Sequence, residues 1–293
     1  MSIDASSVLD PARSFASVAE LFGAGSYGKP IGGGPRRVSC PLSLRPMTAV
    51  ASYALHTASP SDTRGQSIQT YARVTGVLLA LSMLFGFLGE WYIPSRFMSP
   101  DAATTAQNIT SSLPLYRAGF AAYLVEAICD IGLALLFYVL LKPVNKPLAL
   151  AAAFFGLVST ALYGVAEIFY YAPTVLLGGA SYMKAFSAEQ LNALTMVSIR
   201  LFSRVGMIFL GLYGIASVLR GYLIFRSGYI PKSLGVLLML GGAAFVVRNV
   251  TILLAPSFSS SAFLIAMFPA GLALTAWMLV KGVDVAKWEA RAG

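Results

Sequence analysis

The chain has 293 residues, 57% hydrophobic and 11% charged, with 21 Lys and Arg against 12 Asp and Glu for a net charge of +9. Soluble domains average about 25% charged residues, so this composition excludes an ordinary water-facing surface, and the positive excess reads as cationic loops beside membrane spans, not as a nucleic-acid footprint. Cys40 sits in a polar leader and Cys129 in an apolar span, which gives no disulfide framework; the single histidine, His56, lies outside every apolar segment, which excludes haem held between helices by histidines and a zinc hydrolase built from intramembrane histidines.

Residues 1–68 are rich in Ser, Ala, Gly and Pro and lack sustained periodicity, so they read as a disordered leader ahead of a transmembrane domain over 69–293. The leader is too interrupted for a signal-peptide core. Its Arg, Ser and scarcity of acids leave an organelle transit peptide open, and Met47 offers an alternative translation start. Gly23, Gly28 and Lys29 match phosphate-loop spacing, and Gly23, Gly25 and Gly28 a dinucleotide fingerprint. Pro30 stands where Ser or Thr would bind magnesium, and neither match has the strand before it or the helix after it that the chemistry needs.

Six apolar segments of spanning length follow, over about 73–93, 119–141, 148–171, 195–219, 233–254 and 261–281. The chain is therefore expected to be an all-α membrane protein, a bundle of six transmembrane helices. Lys142 and Lys146 follow the second segment, Arg220, Arg226 and Lys232 the fourth, and Lys281, Lys287 and Arg291 the sixth; Arg64 and Arg73 precede the first. The loop after the fifth, PSFSSS, carries no charge. By the positive-inside pattern both termini are cytoplasmic, in a multi-pass protein of the cell membrane.

Two extracytoplasmic loops are long enough for short helices. After the first span, Ser99 as cap and Pro100 as first helical residue predict a surface helix over 100–111. The sequon at Asn108 matters only in a pathway that glycosylates. In the other loop, Ser187 and Gln190 have capping-box spacing and predict a helix that continues unbroken through the fourth span.

The stretches ARVTGVLLALS, DAATTAQNI, LYRAG, YVLLKPVNKPLAL and GYLIFRSGYIPKSLGVLL occur in one order over about 70–256. With these motifs the chain resembles the bacterial integral-membrane family known as domain of unknown function 4386. The resemblance implies a helical membrane protein. It carries no activity, cofactor or catalytic residue onto this sequence.

The charges inside the spans are the candidate site. Glu90, Glu126, Asp130 and Glu167, together with Arg200, Arg204 and Arg248 with its neighbour Asn249, all fall in the outer half of the membrane on the topology above. A charge at bilayer centre costs about 2.5–3.5 kcal/mol even on insertion scales, so such residues face the bundle interior or water. Glu126 and Asp130, like Arg200 and Arg204, are spaced i, i+4 on one face. Small-residue stripes run beside them, Gly156–Thr160–Gly164 with Glu167 and Gly241–Ala244 with Arg248. The expectation is that an acidic hairpin of spans two and three docks against a basic hairpin of spans four and five, with the inner halves of those spans apolar. The sixth span, kinked at Pro269, packs outside this network, and Trp277 and Trp288 anchor at the cytoplasmic interface.

Three functional classes remain open on these residues. A transporter or channel would use the charged region as an outward-facing cavity for a small solute, an ion or a proton, lined by Tyr123 and Tyr163. A sensor or accessory subunit would bind a small molecule or lipid headgroup from the outer side, or hold the charges as a purely structural network. An enzyme would need paired acids for general acid–base work, with Arg200 and Arg204 holding an anion. That class lacks a nucleophile–base pair or metal cluster, and an apolar setting keeps the Cys129 thiol inert. No catalytic residue, metal or cofactor is assigned, and the one certain partner is the lipid bilayer.

Overall fold

The computed structural model describes residues 60–255 and 265–293, with side chains from Gln66 onward, all within one compact unit, His56–Gly293. Cys40, Met47, His56, the glycine stretch 23–30 and the uncharged loop 256–261 lie outside the described residues. Every described element is helical.

Helix α1, Pro60–Gly86, begins inside the stretch assigned to the leader and runs into a π-helical segment, Phe87–Tyr92, and a short α2, Ile93–Ser95. There follow α3 (Ala102–Ser111), α4 (Leu113–Leu141), α5 (Lys146–Leu176), a 3-10 turn (Ser181–Ala185), α6 (Ala188–Ser227), α7 (Lys232–Leu254), α8 (Met267–Val280) and α9 (Val285–Ala292). Five of these helices are long and apolar enough to cross a membrane, and a sixth crossing arises if α8 and α9, bent 95° apart, count as one span. The chain is a multi-pass membrane protein.

The helix ends follow local chemistry. The Ser187 hydroxyl accepts from Gln190 N while the Gln190 side chain accepts from Ser187 N, the reciprocal capping box that the spacing predicts. From there α6 runs unbroken for 40 residues to Gly228, whose φ of 77° closes it in the left-handed conformation. Asn145 caps α5 through Leu148 N. The loop helix differs from expectation: Asp101, not Ser99, is its cap. The Asp101 carboxylate accepts from both the backbone and the hydroxyl of Thr104 at 2.7 Å, which holds its carboxyl below the usual range. Ser99 instead shapes the preceding turn through its backbone, its N–H donating to Thr105 Oγ1 and its carbonyl accepting from that hydroxyl.

The five long helices and α8 form a closed ring. α1 packs on α4, α4 on α5, α5 on α6, α6 on α7, α7 on α8, and α8 back on α1. This corrects the expectation that the sixth segment packs outside the charged network: α8 closes the ring and lines the same cavity as the acids and Arg220. Buried positions recur every three or four residues, as on α4 at Tyr116, Gly119, Tyr123, Glu126, Cys129, Leu133 and Phe137. The outward positions are the apolar ones, with Ile128, Leu135, Phe154, Ile168 and Leu240 all exposed as a lipid-facing belt.

The tightest seam joins α6 to α7. A Cβ on Gly214 would stand 2.6 Å from the Gly242 carbonyl oxygen, and one on Gly221 would stand 2.7 Å from that of Gly235. Two glycine pairs seven residues apart on antiparallel helices let the backbones meet, the small-residue mode of packing that replaces hydrophobic drive in lipid. Gly241, by contrast, faces Met267 of α8. Asn249 adds a side-chain bond to the Met207 carbonyl.

The two ends of the ring differ. One, the loop end, carries α2, α3 and the 3-10 turn. The other, the turn end, carries the short turns after α4 and α6 and is closed by α9. There Trp288 Nε1 and Tyr229 Oη both donate to the Leu140 carbonyl at 2.9 and 2.7 Å, and Arg291 donates to Ser227 O. Gln69 ties α1 to the α8–α9 bend, donating to Lys281 O and accepting from Val283 N. Asp284 caps α9, and the Lys287 side chain beside it holds its carboxyl below the usual range. Trp288, expected as an interface anchor, is 5% exposed and sits within the bundle's end.

Gly242→Val places branched carbon where backbone oxygen now lies. We expect a loss of about 1–3 kcal/mol, read as a lowered thermal midpoint of the purified protein in detergent, while Ala243→Val at the neighbouring exposed position leaves the midpoint within error.

Candidate functional site

Four acids converge inside the ring, Glu90 and Glu167 toward its loop end and Asp130 just past the midpoint of α4. Glu90 reaches inward from the π-helical segment of α1, Glu126 and Asp130 from α4, and Glu167 from α5. The π segment is the one departure from α-helical winding within the spans, and it turns Glu90 toward the axis. Gly89 lets it approach α4: a Cβ there would lie 3.1 Å from Gly119 O and from Tyr123 N.

Each carboxylate has a built niche. Glu126, 8% exposed, sits against Gly86, where a Cβ would stand 2.6 Å from its Oε1. Asp130 accepts from the Ser82 hydroxyl at 2.8 Å. Glu167 is 1% exposed, beside Tyr163. Tyr123 lies over Gly164 and packs edge-on to Tyr163, beside the acids, but neither tyrosine is among the residues that line the cavity between the acids and Arg220. Yet buried oxygens of Glu90, Glu126, Glu167 and Tyr163 make no hydrogen bond. Among the described residues no three His, Cys, Asp or Glu side chains are arranged to hold a metal ion.

The expected arginines do not join these acids. Arg200 and Arg204 are exposed on the flank of α6. At about 1.5 Å per residue α6 is about 60 Å long, roughly twice the ~30 Å hydrocarbon core, so part of this helix extends beyond the core. The inward face of α6 runs instead through Ile199, Phe202, Phe209, Ser217 and Arg220. Arg248 is half-buried on α7, its Nε without a partner. Among the described residues the ion pair is Lys287–Asp284, at 2.8 Å. The docking of an acidic hairpin against a basic one is therefore corrected: the hairpins touch through α5 and α6, but no acid of the cluster is ion-paired.

The buried cation is Arg220, which sequence reading placed in a cytoplasmic turn. It is 5% exposed because α6 continues past it to Ser227. Its guanidinium lies 5.2 Å from the centre of the Phe137 ring, and a Cβ on Gly156 would stand 2.5 Å from its Nη2. Its Nε has no hydrogen-bond partner. The signal that could have found it is periodicity: Arg220 continues the Phe209–Tyr213–Ser217 row, three residues after Ser217 and on the same helix face. It also means that the turn-end halves of the spans are not wholly apolar.

Between Arg220 and the acids is a cavity of about 180 Å³. Glu90, Glu126, Asp130 and Ser82 line one side, Arg220, Ser217 and Tyr213 the other. Phe137, Phe209, Phe245, Leu79 and Leu238 supply apolar wall, and α8 contributes Met267, Gly271 and Leu274. Toward the loop end the acids lie beneath an aromatic layer. Tyr116 and Tyr170 stack at 4.4 Å, and each donates its hydroxyl to the other's carbonyl, at 2.5 and 3.1 Å. Phe97 and Phe202 pack on them at 5.2 and 5.3 Å.

Residues 74–282 match the family model described as domain of unknown function (DUF4386), and the chain belongs to that family. No curated protein and no solved structure matches the chain.

Tyr116→Phe and Tyr170→Phe each keep the stacked ring and leave one buried carbonyl without its donor. Each is expected to cost about 1–3 kcal/mol, measured as the shift in thermal unfolding of the purified protein.

Proposed function

We propose that the chain is a six-span membrane protein with both termini in the cytoplasm, whose central cavity takes up a small polar solute or ion. The six-span reading is supported by α8, which completes the ring between α7 and α1. The orientation is supported by Lys142, Lys146, Arg226, Lys232, Lys281, Lys287 and Arg291 at the turn end, against Arg96, Arg117, Lys184, Arg200 and Arg204 toward the loop end. On that orientation Glu90 and Glu167 lie in the outer half and Arg220 in the inner half.

One observation carries the functional reading: acids and Arg220 border a common cavity with buried polar atoms that have no partner. A purely structural network would be paired, because an unpaired buried charge costs several kcal/mol and a buried polar atom is nearly always bonded. Groups held apart around a space are suited to meet something that occupies it.

The test uses cysteine accessibility. In a chain whose two native cysteines are replaced, Ser82→Cys and Ser217→Cys are exposed to a small methanethiosulfonate reagent in proteoliposomes. We expect both to be modified, Ser82→Cys more readily when the reagent is added outside oriented vesicles. If neither reacts while an exposed control at Ser111→Cys does, the cavity is sealed, and a sensor or accessory subunit with a structural network replaces this reading.

A further inference from the structure

The cavity is lined by groups of opposite charge type. The Asp130 carboxylate is held by Ser82, with Glu126 and Glu90 beside it, and the wall also carries Arg220 with Ser217 and Tyr213. Asp130 and Arg220 border the same space without forming an ion pair. Nor do the neighbours of Arg220 satisfy it: its contacts are an aromatic face, a glycine niche and the cavity, and its Nε is unbonded.

A ligand that is only an anion would pair with Arg220 and face the acids as well. One that is only a cation would meet the acids and leave Arg220 buried and alone. Both arrangements keep an uncompensated charge in a low-dielectric interior, which is costly. A dipolar ligand satisfies both kinds of charge at once. Size narrows the class further: about 180 Å³ is below the 300–1,000 Å³ of sites for drug-sized molecules. The rest of the wall is apolar, with Phe209, Phe245, Leu79 and Leu238 on it.

We propose that this cavity binds a small zwitterion of the α-amino-acid type with an apolar side chain. Its carboxylate meets Arg220 and Ser217, its ammonium meets Asp130 and Glu126, and its side chain lies against the phenylalanines. This deepens the reading of the cavity as a solute site and rests on it.

The experiment is a ligand-induced shift of thermal unfolding on the purified full chain, with three matched probes. L-valine has both charges, isovalerate has the carboxylate alone, and isobutylamine has the amine alone. We expect L-valine at millimolar concentration to raise the midpoint saturably, with neither partial probe doing so. Arg220→Gln and Asp130→Asn should each weaken apparent affinity about tenfold or more, the loss of a charge-assisted contact. Arg220→Lys should fall between wild type and Arg220→Gln, with monodispersity on size exclusion confirming that each variant folds. Isovalerate alone matching L-valine would make this an anion site, and isobutylamine alone matching it would make it a cation site; either overturns the proposal. So does the absence of any shift in wild type, a result the probe panel gives without any variant. If Ser82→Cys and Ser217→Cys are modified while L-valine gives no shift, the zwitterion fails and the solvent-reached cavity stands; if the cysteines are also silent, both fail.

Discussion

Ionised side chains in hydrocarbon must turn toward protein or water, and this constraint arranges the molecule. It sets which face of each helix is inside: Glu126 and Asp130 fix the inward stripe of α4, Glu167 that of α5, Arg220 that of α6. The apolar residues between them then fall outward by default, which gives the lipid-facing belt of Ile128, Leu135, Phe154 and Leu240. In a soluble bundle the same residues would form the core. Here the polarity is reversed, and the ring encloses its charges.

Enclosing charges is only possible if small residues make room. Gly86 receives Glu126, Gly156 receives Arg220 and Gly164 receives Tyr123, each on the helix facing the polar group. The seam of α6 and α7 uses glycine differently, to bring backbones together with Gly214 against Gly242 and Gly221 against Gly235. The first use is a socket for a side chain and the second a closure between helices. Both place glycine inside helices, where its intrinsic cost in water would be felt, because van der Waals packing carries helix association in lipid.

Much of this was legible in the sequence. Long apolar runs gave the spans, the Ser187–Gln190 spacing gave the start of α6, and the cost of burying carboxylates gave the inward face shared by Glu126 and Asp130. The parts that escaped depend on information that one-dimensional patterns carry poorly. Arg220 was read as a loop charge because it stands near the end of an apolar run, whereas the helix continues another two turns past it. Arg200 and Arg204 read as inward-facing charges from their spacing, yet both are exposed on the flank of α6, because a shared face at i, i+4 does not say which way that face points. The place of α8 followed from having no charge of its own, but its Gly271 and Met267 face the cavity all the same. The π-helical turn that aims Glu90 has no recognisable signature beyond two nearby glycines, and Asp101 outcompeted Ser99 as a cap through its second bond to the Thr104 hydroxyl.

The contact of α8 with α1 has a consequence for biogenesis. α1 and α8 are neighbours, so the wall is incomplete until the ribosome has delivered residues through α8. A nascent chain with α1 to α7 inserted has an open seam, along which Glu90 and Asp130 are not yet shielded from acyl chains by the final helix. Such a chain needs either protonated carboxyls or a translocon-associated shelter until the last segment arrives. Arrest before α8 would therefore produce a species that is a substrate for quality-control proteolysis, not a smaller working bundle.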